Sequence, residues 1–213
     1  MNKRITSSIL AAITSIVLSQ AAHAAEAMPM PPTLDAQALS RLLPQIQAGG
    51  HIFYFRHAST RHDQEDKQPV DLSSCDKQRN LSESGKAESR AIGDAFKRLH
   101  IPVDLVVSSP YCRTVETAKL AFGHTDVSDD LHFAIGLPKA EVTEKAGALR
   151  KMLGTAPAPG KNNVIVSHTA NLQEAVGLWP KPEAVAFIFK PDVAANPVAL
   201  GRVPPELWPQ LGR

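Results

Sequence analysis

The sequence predicts an α/β fold, a three-layer α/β/α sandwich around a largely parallel mixed sheet. Two observations support this prediction. Short apolar runs typical of strands, at 51–56, 103–107, 162–167 and 184–190, alternate along the chain with segments that repeat apolar residues at helical spacing. The second and third runs are almost continuously apolar, as in strands buried on both faces. Such alternation is typical of a sheet covered by helices.

A proline-rich lead-in and a short helix precede the first strand. The lead-in covers residues 25–34, and Asp35 is placed to cap the helix that follows. Gly49-Gly50 end this helix, because glycine readily adopts the backbone conformation that follows a helix. Its apolar residues stand at helical spacing: Leu39, Leu42 and Leu43.

A polar, irregular stretch at 58–80 separates the first strand from the next helix. It contains Pro69 and many charges, so we predict a long loop, and loops of that length in compact domains are usually functional or disordered. We expect its charged residues to rim a binding site: Arg61, His62, Asp63, Lys67, Lys77 and Arg79. The next helix begins near Ser82 or Ser84, and one face of it is apolar: Ile92, Ala95, Phe96 and Leu99.

The remainder of the chain continues the alternation. Pro110 is placed in the first turn of a helix that reaches Phe122. Gly154 ends another predicted helix, at 140–153. Three further elements follow the strand at 162–167: a helix at 171–179, the strand at 184–190 and an edge strand at 198–203.

The first 24 residues have the layout of a secretory signal peptide. Lys3 and Arg4 precede an apolar run at 5–18, and Ala22-His23-Ala24 forms a cleavage site. A membrane anchor would need about 20 apolar residues, and this run is shorter and interrupted by hydroxyl side chains. We therefore predict cleavage near Ala24, a periplasmic or secreted protein with no stable membrane insertion, and a single domain at 35–213.

The charge balance excludes two classes of partner. Removal of Lys3 and Arg4 leaves equal numbers of basic and acidic residues, and no basic tract is present. A neutral chain of this kind is not suited to binding nucleic acid or an anionic membrane surface.

The chain has two cysteines, Cys75 and Cys112. Because an exported protein meets an oxidising compartment, we predict a disulfide between them. The alternative is a pair of independent buried thiols.

Three predicted strands end in residues suited to binding an anion. In a parallel sheet the carboxyl ends of the strands meet at one edge, where ligands bind. Guanidinium groups match phosphate oxygens, and a helix N-terminus favours negative charge. The residues at these strand ends are Arg56-His57, then Ser108-Ser109-Pro110 with Arg113, and finally Ser167-His168.

A metal site is the alternative use of these histidines. It would combine His51, His57 and His62, but no carboxylate stands at ligand spacing from them. We therefore expect no metal ligands and no cofactor.

The chain resembles the histidine phosphatase superfamily, also called phosphoglycerate mutase-like, over about residues 50–190. The resemblance is carried by motifs in the order that the family has them. They are Arg56-His57-Ala58 with Thr60, Leu81-Ser82-Glu83-Ser84-Gly85, Ser108-Ser109 with Arg113 and Thr117-Ala118, and Val164-Ile165-Val166-Ser167-His168.

This resemblance implies a phosphoglycerate mutase-like fold and a phosphatase that needs no metal. His57 would be the nucleophile that takes the phosphoryl group. Arg56, Arg113 and His168 would hold the phosphoryl oxygens, with Thr60 also contacting the substrate. The implied substrate is a phosphorylated small molecule or glycan, because the chain is similar to small, open-site members such as phosphohistidine phosphatases and lipopolysaccharide core heptose phosphatases.

Two residues depart from the family pattern. Ala58 replaces a glycine, which could narrow the approach of the backbone to phosphate. Phe133 stands where the family's acidic residue is expected, and the substitutes in reach along the sequence are Asp129, Asp130, Glu141 and Glu144, or none of them. Without a general acid, aryl phosphates should be hydrolysed much faster than alkyl phosphates, because a nitrophenolate leaves without a proton.

Two other functions remain open from the sequence. A non-catalytic phosphate-binding protein could keep the same pocket. A phosphomutase is disfavoured because the interval between Arg113 and His168 is too short to hold the lid of the mutases.

Overall fold

The computed structural model describes residues 27–212, so the predicted signal peptide at 1–24 lies outside the described residues. Within them, six strands form one sheet in the order β3-β2-β4-β1-β5-β6. The first four strands in that order are parallel to one another, and β5 is antiparallel to both of its neighbours, β1 and β6. The strands are β1 (Ile52–Arg56), β2 (Val103–Ser108), β3 (Asp126–Val127), β4 (Asn162–Ser167), β5 (Ala186–Pro191) and β6 (Pro197–Val203).

The helices begin at residues that can satisfy their free N–H groups. The Asp35 carboxylate accepts a hydrogen bond from the Ala38 N–H, and the Ser82 hydroxyl accepts one from the Gly85 N–H. Gly123 ends a later helix in the left-handed conformation, with φ of 84°. The helices are α1 (Ala36–Gln47), α2 (Glu83–Arg98), α3 (Cys112–Phe122), α4 (Lys139–Gly154) and α5 (Thr169–Val176).

Alternating side chains of β1 divide the apolar interior into two cores. Phe53 and Phe55 pack on the side of α1, α2 and α3. Ile52 and Tyr54 point to the opposite face and pack on the side of α4 and α5. The predicted three-layer α/β/α sandwich is therefore confirmed.

Small differences separate the predicted elements from those observed. Pro110 precedes the N-cap residue Tyr111 and is not in the first turn of α3. The two-residue strand β3 was not predicted, because a pairing this short has no sequence period. The predicted loop at 58–80 contains one short 3₁₀ turn, Cys75–Lys77.

The topology brings three strand ends together, since β2, β4 and β1 are neighbours in the sheet. Arg56 pairs with Ser167 across β1 and β4, and Ser108 pairs with Val166 across β2 and β4. The residues that follow these strands therefore lie along one edge. No helix between residues 27 and 212 is long and apolar enough to span a bilayer.

Candidate active site

His57 is the first residue beyond β1 and is almost completely buried. Its backbone N–H donates to the carbonyl of Ser167, which continues the ladder with β4. Its Nδ1 lies 2.9 Å from the carbonyl oxygen of Ala58. Because a carbonyl can only accept, Nδ1 carries the proton and Nε2 keeps its lone pair. The backbone therefore selects the tautomer in which Nε2 has a free lone pair.

Ala58, which stands where the family has glycine, is fully buried. Its side chain belongs to the core on the α2 and α3 side of the sheet, together with Ala118. Its backbone N–H donates to the Thr117 hydroxyl at 3.1 Å. The methyl group is therefore part of the core packing beneath the site.

His168 follows β4 and is also buried. Its Nδ1 lies 3.5 Å from Nη2 of Arg113, which can only donate, so Nδ1 is the acceptor and Nε2 carries the proton. That Nε2 lies 2.8 Å from the Ser109 hydroxyl, the residue just after β2. The rings of His57 and His168 are 5.6 Å apart between centroids. The ends of three strands thus meet at one pair of imidazoles.

Arg113 is positioned in the first turn of α3 and is 1% exposed, an unusual burial for an arginine. Its Nη1 donates to both carboxylate oxygens of Asp66, at 2.9 and 3.0 Å. The guanidinium carbon lies 4.6 Å from the ring centroid of Tyr111 and 5.6 Å from that of Phe133. A carboxylate and two aromatic faces therefore fix this cation beside His168.

Arg56 and Thr60 both bind the carboxylate of Glu183. Arg56 Nη2 donates to Oε1 at 3.0 Å. The Thr60 hydroxyl donates to Oε1 and its backbone N–H to Oε2, each at 3.0 Å. Thr60, predicted to contact substrate, is buried and its hydroxyl donates to this carboxylate.

The long loop adds a third arginine to the site. Arg79 Nη1 lies 3.7 Å from the Glu183 carboxylate, and the Arg79 backbone N–H donates to Asp66. The sequence predicted Arg79 at the rim of a binding site, and the structure places its partly exposed side chain beside the carboxylate that also binds Arg56.

Two attachments fasten this loop to the start of α3. The predicted Cys75–Cys112 disulfide is present, with the Cα atoms 5.7 Å apart. The side-chain oxygen of the buried Gln78 accepts a hydrogen bond from the Cys112 N–H at 2.9 Å. Arg79 follows Gln78 directly, so the attachments fix its position.

Burial and positive neighbours keep both histidines neutral. Burial lowers the pKa of His57 well below its usual 6.5, and the charge of Arg113 lowers it further. The same two causes, in the same order, lower the pKa of His168. Both imidazoles are therefore neutral at pH 7, each with one ring N–H and one nitrogen lone pair, and a neutral imidazole is the form that can act as a nucleophile.

None of the four acidic residues considered as general acid hydrogen-bonds or ion-pairs with the site residues. Asp129 is exposed and pairs with Lys145. Asp130 lines a separate cavity of about 410 Å³ on the α4 side of the sheet, and Glu141 and Glu144 are exposed on α4.

Phe133 does reach the site, where its ring lies 4.8 Å from that of His168. An aromatic side chain thus forms the wall of the site beside His168. None of the four candidate acids contributes a carboxylate beside His168.

Sequence reasoning missed Glu183 and Asp66. Glu183 is 123 residues from Thr60 along the chain, and Asp66 is 47 from Arg113. Neither stands in a motif or at a helical or strand period. The only sequence signal for Asp66 was its place in a long charged loop.

No metal cluster is formed by the alternative set of histidines. His51 is buried at the start of β1 with neither ring nitrogen hydrogen-bonded, and His62 is exposed in the loop. Across residues 27–212, no group of three or more His, Cys, Asp or Glu side chains is arranged to hold a metal ion.

A wide groove lies beside the site and not over His57. Its volume is about 810 Å³, and it runs between the long loop, the start of α2 and α3. Both charge signs line it, including Arg61, Lys86, Lys119, Glu83 and Glu116.

Comparisons with known proteins agree with this fold and these motifs. Residues 52–134 match the family model of the histidine phosphatase superfamily (branch 1). The matched segment contains Arg56, His57 and Arg113 and ends before His168. No curated protein sequence matches the chain.

Several solved structures share the architecture. The protein histidine phosphatase SixA complexed with tungstate is 19% identical, covers 73% of this chain and 97% of its own, and has a TM-score of 0.51. A phosphoserine phosphatase mutant from Entamoeba histolytica in complex with phosphoserine is 14% identical, with coverages of 71% and 95% and a TM-score of 0.50. YhfR of Bacillus stearothermophilus is 14% identical, with coverages of 70% and 94% and a TM-score of 0.52. At these identities the likeness establishes the fold, and the chain has the histidine phosphatase fold.

Proposed function

We propose that this chain is a metal-independent phosphatase that hydrolyses phosphate monoesters through a phosphohistidine on His57. The observation that carries the proposal is the state of His57: a buried, neutral imidazole whose Nδ1–H is held by the Ala58 carbonyl, leaving Nε2 free. A second imidazole, His168, lies 5.6 Å away between ring centroids; Arg113 contacts that imidazole, and Arg56 and Arg79 pair with the neighbouring Glu183.

The first step transfers the phosphoryl group to the protein. Nε2 of His57 forms a bond to phosphorus while the bond from phosphorus to the ester oxygen breaks, and the leaving oxygen keeps the electron pair. The arginines stabilise the charge on the equatorial phosphoryl oxygens, which is the main demand of phosphoryl transfer. Arg113 would meet these oxygens from the His168 side of the pocket.

The second step releases phosphate. A water molecule attacks phosphorus, the bond from Nε2 to phosphorus breaks, and the electron pair returns to the ring nitrogen. The Ala58 carbonyl holds Nδ1–H throughout, so His57 is restored in its starting tautomer.

The substrate proposed is a phosphorylated small molecule or glycan. SixA is a protein histidine phosphatase and the Entamoeba structure holds phosphoserine, so related folds take phosphate-bearing substrates. We also propose export through residues 1–24; amino-terminal sequencing of the secreted or periplasmic protein should then begin at Ala25, and a sequence beginning at Met1 would contradict it.

The main test is turnover by residues 25–213 and its dependence on His57. We expect hydrolysis of nitrophenyl phosphate, loss of that activity in His57→Ala, and a radioactive phosphate label on His57 alone after rapid quenching. His124→Ala is the control, since His124 is exposed after α3 and outside the site. Equal turnover in the His57→Ala protein would overturn the mechanism, and affinity for phosphate compounds without turnover would favour a binding protein.

None of the four candidate acids contacts the site, and the two carboxylates that do, Glu183 and Asp66, are paired with arginines, which predicts a substrate preference. General acid catalysis typically contributes about 10²–10⁴-fold, so alkyl phosphates should be slower than aryl phosphates by a factor in that range. Single substitutions of Asp129, Asp130, Glu141 and Glu144 test this. If one of them abolished alkyl-phosphate turnover and spared nitrophenyl phosphate, that residue would be the working acid.

A further inference from the structure

Glu183 is a carboxylate that lies among the cations of the proposed phosphate site. Its side chain is 15% exposed, and it accepts hydrogen bonds from Arg56 and from both the hydroxyl and the N–H of Thr60. Arg79 lies 3.7 Å away. Such a charged group is retained at a buried site only where partners satisfy it, and these do.

The backbone on either side fixes where this carboxylate points. The Ala184 N–H donates to the His57 carbonyl, and the Arg56 N–H donates to the Val185 carbonyl. Ala184 has φ of 60°, in the left-handed region that is unfavourable for a residue with a Cβ. Unfavourable backbone of this kind persists where the surroundings demand it and is concentrated at functional sites.

Oε1 of Glu183 lies 4.0 Å from Nδ1 of His57. Nδ1 is the ring nitrogen opposite the nucleophilic Nε2, so the carboxylate stands behind the imidazole as seen from the phosphoryl group. It is too far to accept the Nδ1 proton, which the Ala58 carbonyl takes at 2.9 Å. Glu183 therefore acts on the imidazole through its negative charge and not through a hydrogen bond.

The imidazole of His57 needs a nearby negative charge during the reaction. Once Nε2 has bonded to phosphorus, an imidazole that still carries Nδ1–H is positively charged. The charged and titratable groups that face His57 are otherwise cationic or neutral: Arg56, Arg79, Arg113 and His168. Asp66 is directed to Arg113, which leaves Glu183 as the carboxylate near Nδ1.

We propose that Glu183 is a positioning residue for the phosphatase reaction, which holds Arg56 and Thr60 in place and stabilises the positive charge that develops on His57 as the phosphohistidine forms. The proposal rests on the proposed function. Like the carboxylate of a serine protease triad, Glu183 would stabilise the positively charged imidazole, but here the Ala58 carbonyl and not the carboxylate accepts the Nδ1–H hydrogen bond.

The test compares Glu183→Gln with the wild-type protein and with Glu174→Gln, an exposed glutamate on α5. Glutamine keeps the shape and an acceptor oxygen for Thr60 but removes the charge. The single-turnover rate of phosphohistidine formation should fall about tenfold or more, as on loss of a charge-stabilising group, while Glu174→Gln leaves it unchanged. Glu183→Asp, which keeps the charge, should recover part of the rate.

A second readout needs no turnover. The pKa of His57, followed by histidine-selective ¹⁵N NMR, should be lower in Glu183→Gln than in the wild-type protein, because a carboxylate favours the protonated ring. If the wild-type protein hydrolysed no substrate, the proposed function would fail by itself, and this pKa would still decide the role of Glu183. An unchanged pKa, or an unchanged single-turnover rate in an active protein, would overturn the proposal.

A second variant applies if Glu183→Gln does not fold. Thr60→Val preserves the side-chain shape and removes the hydroxyl that donates to Oε1. A smaller loss of rate and a smaller fall in the His57 pKa are expected. No change in either would contradict the proposal.

Discussion

The candidate site has two halves that are built in different ways. In the strand half, His57 and His168 each follow a parallel strand, and the ladder between β1 and β4 sets their spacing. In the loop half, Asp66 and Arg79 belong to a long segment outside the sheet. That segment is held by a disulfide, by the buried Gln78 and by ion pairs to the strand half.

The difference is in what fixes each position. Backbone hydrogen bonds between strands form with almost any apolar sequence, so the backbone positions of the two histidines depend little on individual neighbouring side chains. The loop has few such bonds, and its geometry depends on a small number of specific side chains. Damage to the loop half should therefore loosen the pocket, and damage to the strand half should remove the chemistry.

Removing the disulfide should have the largest effect on stability. A bridge that spans 37 positions restricts the unfolded chain, and its loss in Cys75→Ser with Cys112→Ser should lower the free energy of unfolding by about 4 kcal/mol. Urea denaturation measures this loss of stability. In steady-state kinetics, KM should rise by a larger factor than kcat falls, because the loop that carries Arg79 is no longer attached to α3. Two reactive thiols in the denatured, unreduced wild-type protein would show that the bridge does not form.

Arg113→Ala should have the next largest effect, at the contact between the two halves. Removing one group that stabilises transition-state charge typically costs about 10²–10³-fold in kcat, and it also leaves Asp66 without its ion pair. Steady-state kinetics on nitrophenyl phosphate measure the loss. Arg90→Ala, at an exposed position of α2, is the control. Equal losses of kcat in Arg113→Ala and Arg90→Ala would show that Arg113 does not act in the site.

Arg79→Gln should have a smaller effect, confined to the loop half. Arg79 is partly exposed and more distant from the Glu183 carboxylate than Arg56 is, so about a tenfold loss in kcat/KM is expected, smaller than for a buried donor. Arg41→Gln is the control, because Arg41 is exposed on α1, away from the site. If Arg79→Gln lowered kcat/KM as much as Arg113→Ala does, the proposed difference between the loop half and the strand half would be wrong.

The pH dependence of stability should report the buried histidines, which are His57 and His168 of the strand half together with His51 before β1. The pKa values of His57 and His168 are lowered in the folded protein, so below about pH 6.5 the unfolded chain binds protons that the native site does not. The free energy of unfolding should fall as pH is lowered from 6.5 toward those folded-state pKa values. His168→Asn should reduce this slope in urea denaturation at pH 7.5 and 5; stability that rose on acidification would contradict the lowered pKa values.

The sequence by itself determined the layers of the fold and the strand-end residues of the site. Apolar runs of strand length and helical spacing specify which faces are buried, and burial largely decides the architecture. Since a parallel sheet gathers the carboxyl ends of its strands, Arg56, His57, Ser109 and His168 could be placed together before any coordinates. Their catalytic roles stay predictions.

Only the tertiary structure decided the electrostatic partners of those residues. Glu183 meets Arg56 across 127 positions of the chain, and Asp66 meets Arg113 across 47. No period or short motif encodes such pairings, because they depend on how a loop is folded over the sheet edge. For the same reason, the side chains beside His168 could not be assigned from the sequence. Four acidic residues follow or precede Phe133 closely along the chain. The packing of α4 and of the segment before it places the aromatic ring at the site and directs the carboxylates elsewhere.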